Sequence, residues 1–146
     1  LEHSGRLLPS ILDAARSLEP LPLSDGQQRR DFTYVEEVVE GLLRLAVSDV
    51  RPGEIVNLAT GVMHSVRDFV HAAAAVVKCD ESLLHFGAVP HRPEEMSHEG
   101  VSVSRLRTRA DWLPADDITE GVARTVGRLA ELSARQNGAR GAATSG

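Results

Sequence analysis

The sequence predicts an α/β fold that is mostly helical, with a few short strands. Three observations carry that expectation. Apolar residues recur at helical spacing in several separate segments. One nearly continuous apolar run, Glu54-Ile55-Val56-Asn57-Leu58-Ala59, has the character of a strand covered on both faces, as in a parallel sheet. A glycine-containing turn and a capped helix follow it, which makes a β-α unit.

Along the chain, residues 6–18 place Leu7, Leu8, Ile11, Leu12 and Ala15 on one helical face. Pro9 falls in the first turn, where a missing amide is tolerated. Leu21-Pro22-Leu23 reads as a short extended piece ended by the turn Ser24-Asp25-Gly26, and residues 27–32 as a second. Thr33 with Glu36 three residues on predicts a capping box, and Val35, Val38, Val39, Leu42, Leu43 and Ala46 form the stripe behind it. Arg51-Pro52-Gly53 ends that helix before the apolar run at 54–59, which is the one expected parallel strand. Thr60-Gly61 turns the chain, and Ser65 with Asp68 caps a helix presenting Val66, Phe69, Val70, Ala73, Ala74 and Val77. Residues 82–89 hold a short strand, residues 90–100 a polar loop, and residues 104–109 a short helix closed by Trp112-Leu113-Pro114. The last helix starts near Asp117, with Glu120 in capping-box position and a stripe of Ile118, Val122, Thr125, Val126, Leu129 and Leu132. Residues 134–146 turn to Gly, Ala, Ser and Arg, the composition of a disordered tail.

Composition narrows the classes. The length of 146 residues suits one domain, and only 3% aromatics leave Leu, Val, Ile and Ala to fill its core. The net charge is −5, and Lys78 is the one lysine among 16 basic residues. That acidic balance shows no basic face for a nucleic-acid partner. Cys79, the single cysteine, excludes an intrachain disulfide and a thiolate zinc site, so a cytoplasmic origin is the default. No apolar run approaches 18 residues, so no membrane span is expected. The first residue is Leu1 rather than Met, which fits a piece of something longer.

Four segments then stand in a telling order: Arg6-Leu-Leu-Pro-Ser-Ile11; Ser24-Asp-Gly-Gln-Gln-Arg-Arg-Asp-Phe-Thr-Tyr-Val-Glu-Glu-Val38; Val56-Asn-Leu-Ala-Thr-Gly61 with Ser65-Val-Arg67; and Arg92-Pro-Glu-Glu95 leading to Ser104-Arg-Leu106, Trp112-Leu-Pro114 and Glu120-Gly121. Together they resemble the substrate-side, C-terminal portion of the extended short-chain dehydrogenases/reductases, the NAD-dependent epimerase/dehydratase family acting on nucleotide sugars. The resemblance covers nearly all of residues 6–130. It implies that residues 1–133 form the substrate-binding portion of an extended Rossmann-type enzyme, without its N-terminal dinucleotide-binding half.

It also implies roles for particular residues. Arg30, before Asp31, would reach the diphosphate of a nucleoside-diphosphate sugar, since a planar guanidinium matches phosphate oxygens two at a time. The plain alternative is a surface arginine paired with Asp31 or Glu36. Arg92 would touch the same diphosphate and Glu95 a ribose hydroxyl, against an ordinary solvated Arg-Glu loop; the family more often shows glycine and aspartate where Glu94 and Glu95 stand. Leu23 joins the substrate-contact set. Asn57 lies within an apolar run and is expected to bond neighbouring backbone. Trp112 follows Asp111 where the family has glycine, and its indole is expected to pack. The histidine pairs His64/His71 and His91/His98 lack the spacing of metal ligands, so no metal site is expected.

The chemistry's other half is missing from the sequence. NAD or NADP is implied for the parent enzyme, yet no glycine-rich dinucleotide turn is present. No tyrosine stands four residues before a lysine: Val38 follows Tyr34 at that spacing. The chain is expected to be inactive alone and to be completed by a Rossmann half or by self-association. The other reading is a non-catalytic remnant that binds nucleotides or a partner and completes a separate Rossmann half.

Overall fold

The computed structural model describes the backbone of residues 6–90 and 99–143 and the side chains through Arg135. Among the described residues five α-helices and four short strands order as α1 (Leu7–Ser17), β1 (Leu21–Leu23), β2 (Arg29–Arg30), α2 (Val35–Ala46), β3 (His64–Ser65), α3 (Val66–Val77), β4 (Leu84–Phe86), α4 (Ser104–Ala110) and α5 (Ile118–Ala143). β1 pairs with β4 in parallel, Leu21 opposite Leu84 and Leu23 opposite Phe86. β2 pairs antiparallel with β3, which sets Arg30 opposite His64.

α1, α3 and α5 enclose the core. Ile11, Val70 and Ala73 are fully buried there, with Leu8, Ala14, Ala74, Cys79, Leu84 and Val122 around them. These are the positions that the helical periodicity selects, because a stripe at 3.6-residue spacing is what a helix can bury. α3 begins with the expected capping box: the Ser65 hydroxyl accepts from the Asp68 amide and the Asp68 carboxylate accepts from the Ser65 amide. α5 begins as expected too, with Asp117 Oδ1 accepting from the Glu120 amide at 2.9 Å.

Two expectations change, the cap at Thr33 and the covering of α2. Thr33 makes no capping box, since its hydroxyl donates to Asp31 Oδ1 at 3.1 Å and the helix starts one residue later on Tyr34 without a side-chain cap. Among the described residues no strand lies alongside residues 54–59, and a strand exists only through a neighbour. α5 runs on past residue 134 as helix through Ala143. Most of the apolar stripe on α2 is bare: Val35, Val39, Leu42 and Leu43 are exposed, and the one buried residue of that helix is Gly41.

Gly41 explains how α2 sits. A β-carbon there would lie 2.8 Å from Leu58 Cδ1 and 2.9 Å from Trp112 Cζ3, so the helix backbone rests directly on those side chains. Trp112 packs as expected, and Arg44 adds a cation–π contact at 5.7 Å from its ring. Gly41→Ala gains about 1 kcal/mol of helix propensity but forces overlap costing about 1–3 kcal/mol. A net fall in thermal midpoint, read by calorimetry, is the expected result. Just ahead of the tryptophan, Asp111 caps α4 at φ 47°. That left-handed conformation favours glycine, which gives a physical reason for the family's usual residue; aspartate tolerates it better than most side chains.

Candidate functional site

Asp31 is the structural centre of the region that the sequence singles out. Its Oδ1 accepts from the Thr60 amide at 3.0 Å, the Thr60 hydroxyl at 3.0 Å and the Thr33 hydroxyl. Its Oδ2 accepts from the Gly61 amide at 2.8 Å. The carboxylate thus ties the end of β2 to the Thr60-Gly61 turn. Gly61 has φ 82°, and a β-carbon there would meet Val103 at 3.0 Å.

Arg30 leaves the neighbouring position of this anchored segment. It is half-buried, pairs through its backbone with His64, and donates from Nη1 to the Arg29 carbonyl at 2.7 Å. Glu36, its expected surface partner, is bound instead to Arg124 Nη2 at 2.6 Å. Leu23 is half-buried at the end of β1, and its carbonyl accepts from the Val89 amide at 3.1 Å. Arg92 and Glu95 themselves lie outside the described residues, as do His91 and His98. Asn57 Nδ2 donates to the Ser102 carbonyl at 3.1 Å, the backbone bond expected of it. His64 pairs with Asp116 and His71 with Glu81.

A cavity of about 450 Å3 opens one step further along the chain from Asp31. It is walled by the start of α1 (Arg6, Leu7, Leu8), by Phe32 to Val35, by Phe69, and by the start of α5 through Thr125. Phe32 and Phe69 stack at 4.5 Å, and Arg124 lies 4.2 Å over the Tyr34 ring. Sequence reasoning did not single out Phe32, Phe69 or Arg124. The available signal was scarcity: the chain has three phenylalanines, one tyrosine and one tryptophan, and three of those five rings gather here.

A dinucleotide is the cofactor that this type of fold implies, so the amides around the Gly61 turn and the start of α3 are the relevant test. The Thr60 and Gly61 amides go to Asp31, and the Val62 amide to the Thr60 hydroxyl. The Val66 and Arg67 amides go to the Gln28 and Gly26 carbonyls, and the Asp68 amide to Ser65. A pyrophosphate needs free N–H groups at a helix amino terminus. The Asp68 carboxylate also sits there, held below the usual aspartate range first by the Ser65 hydroxyl and then by the Ser65 amide, so it stays negative. These residues do not fit a dinucleotide.

Residues 5–125 match the family model for GDP-mannose 4,6 dehydratase. The chain belongs to that family, and it corresponds to a C-terminal portion of the extended short-chain dehydrogenase fold. It is 33% identical over 98 residues to a GDP-mannose 3,5-epimerase of Arabidopsis thaliana, covering 67% of this chain and 24% of the relative. It is 32% identical over 103 residues to a UDP-glucose 4-epimerase of Mycolicibacterium smegmatis, covering 70% and 31%. Among solved structures, an epimerase of Methanothermobacter thermautotrophicus superposes with a TM-score of 0.71 at 26% identity, covering 86% of this chain and 37% of that one. A dTDP-glucose 4,6-dehydratase of Bacillus anthracis, solved with NAD, shares the fold with a TM-score of 0.72 at 18% identity, covering 86% and 39%. The chain thus spans between a quarter and two fifths of the length of these relatives. Among the described residues no helix is long and apolar enough to cross a membrane.

Proposed function

We propose that this chain forms the nucleotide-sugar wall of an NAD(P)-dependent epimerase, dehydratase or 4-ketoreductase, and that it turns nothing over by itself. The observation that carries this reading is the fixed arginine–aspartate strand. Asp31 is held by four hydrogen bonds to Thr33, Thr60 and Gly61, which leaves Arg30 on a rigid base. Arg30 supplies charge-assisted bonds to the diphosphate, Arg92 adds a second cation, Glu95 takes a ribose hydroxyl and Leu23 lines the nucleotide's path. The arginines bind and orient; the hydride-transferring cofactor belongs to residues that this chain does not supply.

Calorimetry with UDP, GDP, CDP and dTDP tests the reading directly. Saturable binding of at least one nucleotide is the expected result, while NAD+, NADH, NADP+ and NADPH should show none below millimolar concentration. Failure of all four nucleotides would remove the substrate role, and tight binding of any dinucleotide would overturn the assignment of the cofactor to another half.

A further inference from the structure

The β2–β3 ribbon has two faces, and its register decides which residues share one. Arg30 stands opposite His64, and Arg29 opposite Ser65. Residues directly opposite in an antiparallel pair project to the same side, with β-carbons about 5 Å apart. His64 therefore stands beside Arg30 on one face, while Arg29 belongs to the other and donates to the Met63 carbonyl. One nitrogen of the His64 imidazole is fixed: Nε2 lies 2.5 Å from Asp116 Oδ1, in the connection between α4 and α5. A carboxylate only accepts, so Nε2 carries the hydrogen. The other nitrogen, Nδ1, has no partner among the described residues, although the side chain is only 28% exposed. The charged groups around the ring are Asp116, Asp68 of α3, and Arg29 and Arg30 of β2. Two carboxylates are thus set against two guanidinium groups.

We propose that His64 and Asp116 form a proton-linked second arm of the diphosphate site, in which His64 Nδ1–H donates to a phosphate oxygen beside those that Arg30 takes. The proposal rests on the substrate reading above. When the diphosphate arrives, Nδ1 takes a proton from solvent and Nε2–H stays on Asp116. The imidazolium then has an anion on each side, and hydrogen bonds between ionised partners are roughly twice as strong as neutral ones. Asp116 is the positioning residue of the pair: it fixes the ring's rotation, so the open nitrogen is presented rather than free to turn. The competing account is a plain strap that ties β3 to the approach to α5 and touches no ligand. A strap uses one ring nitrogen only, and it links no proton to binding.

Calorimetry on the 146-residue chain with UDP-glucose, GDP-mannose, CDP-glucose and dTDP-glucose tests the arm. Both phosphates of these probes are esterified, so their charge stays constant, whereas the terminal phosphate of a free nucleoside diphosphate titrates near pH ~6. For whichever probe binds, Kd should rise about tenfold between about pH 6 and about pH 8.5, through and above the ordinary histidine range near 6.5. His64→Gln keeps a neutral donor of similar reach. It should bind about tenfold more weakly than wild type at about pH 6, equal it at about pH 8.5, and show a flat profile. Should that variant fail to fold, wild type titrated near pH ~7.5 in phosphate and in Tris, whose ionisation enthalpies differ, counts the proton directly; uptake of a fraction of one proton is expected. A flat wild-type profile without proton uptake overturns the proposal, as does a slope that survives His64→Gln. No saturable binding of any probe sinks the substrate reading and the histidine arm with it. Saturable binding that Arg30→Ala weakens but pH does not alter sinks the histidine arm alone.

Discussion

Asp31→Ala is expected to destabilise the chain by about 2–4 kcal/mol, since it strands several buried donors at once. The Thr60 and Gly61 amides and the Thr60 and Thr33 hydroxyls all donate to this carboxylate, and Thr60 is only 6% exposed. Water cannot readily replace the lost acceptor, so each orphaned group keeps its desolvation cost. For a chain of this length the loss corresponds to a fall in thermal midpoint of roughly 5–15 °C. Asp31→Asn separates shape from charge. Whichever way the amide lies, its NH2 faces a donating N–H, either that of Gly61 or that of Thr60, so only part of the stability should return. Scanning calorimetry on the wild type and both variants decides the matter. A midpoint within a degree of wild type for Asp31→Ala would mean that the 60–61 turn is held by something else.

That anchor shows why some of this molecule could be read from its residues and some could not. The helices were legible because a 3.6-residue stripe is a local property: Leu8, Ile11, Val70, Ala73 and Val122 were all selected by spacing, and all are buried. α2 was legible as a helix but not as a half-covered one. Its apolar arc is wide, and which part of it meets a neighbour depends on Leu58 and Trp112, distant in sequence. Thr33 followed a sound capping rule and lost to Asp31, two residues away, which competes for the same hydroxyl. The site divides in the same way. Arg30 and Asp31 were visible because they are adjacent within a motif. Arg124 was not, since it reaches Glu36 across 88 residues of chain and Tyr34 across still more, and only folding makes them neighbours.

In the whole enzyme, where the cleft is complete, Arg30→Ala is expected to weaken nucleotide-sugar binding by roughly tenfold to a hundredfold. A charge-assisted hydrogen bond contributes about 1.5–3 kcal/mol, and about 1.4 kcal/mol corresponds to one decade of affinity. The effect should appear in KM, with a smaller change in kcat, because the diphosphate is remote from the sugar carbon that reacts. Arg30→Lys should recover part of the loss, since a compact ammonium cannot span two phosphate oxygens as a planar fork does. Affinity for NAD or NADP should hardly move, because that cofactor binds residues outside this chain. The rival account makes Arg30 a surface residue of structural value only. On that account Arg30→Ala lowers the thermal midpoint slightly, and lysine restores it as well as arginine does. Glu36 is bound to Arg124, and the Asp31 carboxylate ties the 60–61 turn. KM and midpoint measured on the same three proteins decide between the accounts: an unchanged KM with a slightly lowered midpoint would end the diphosphate role.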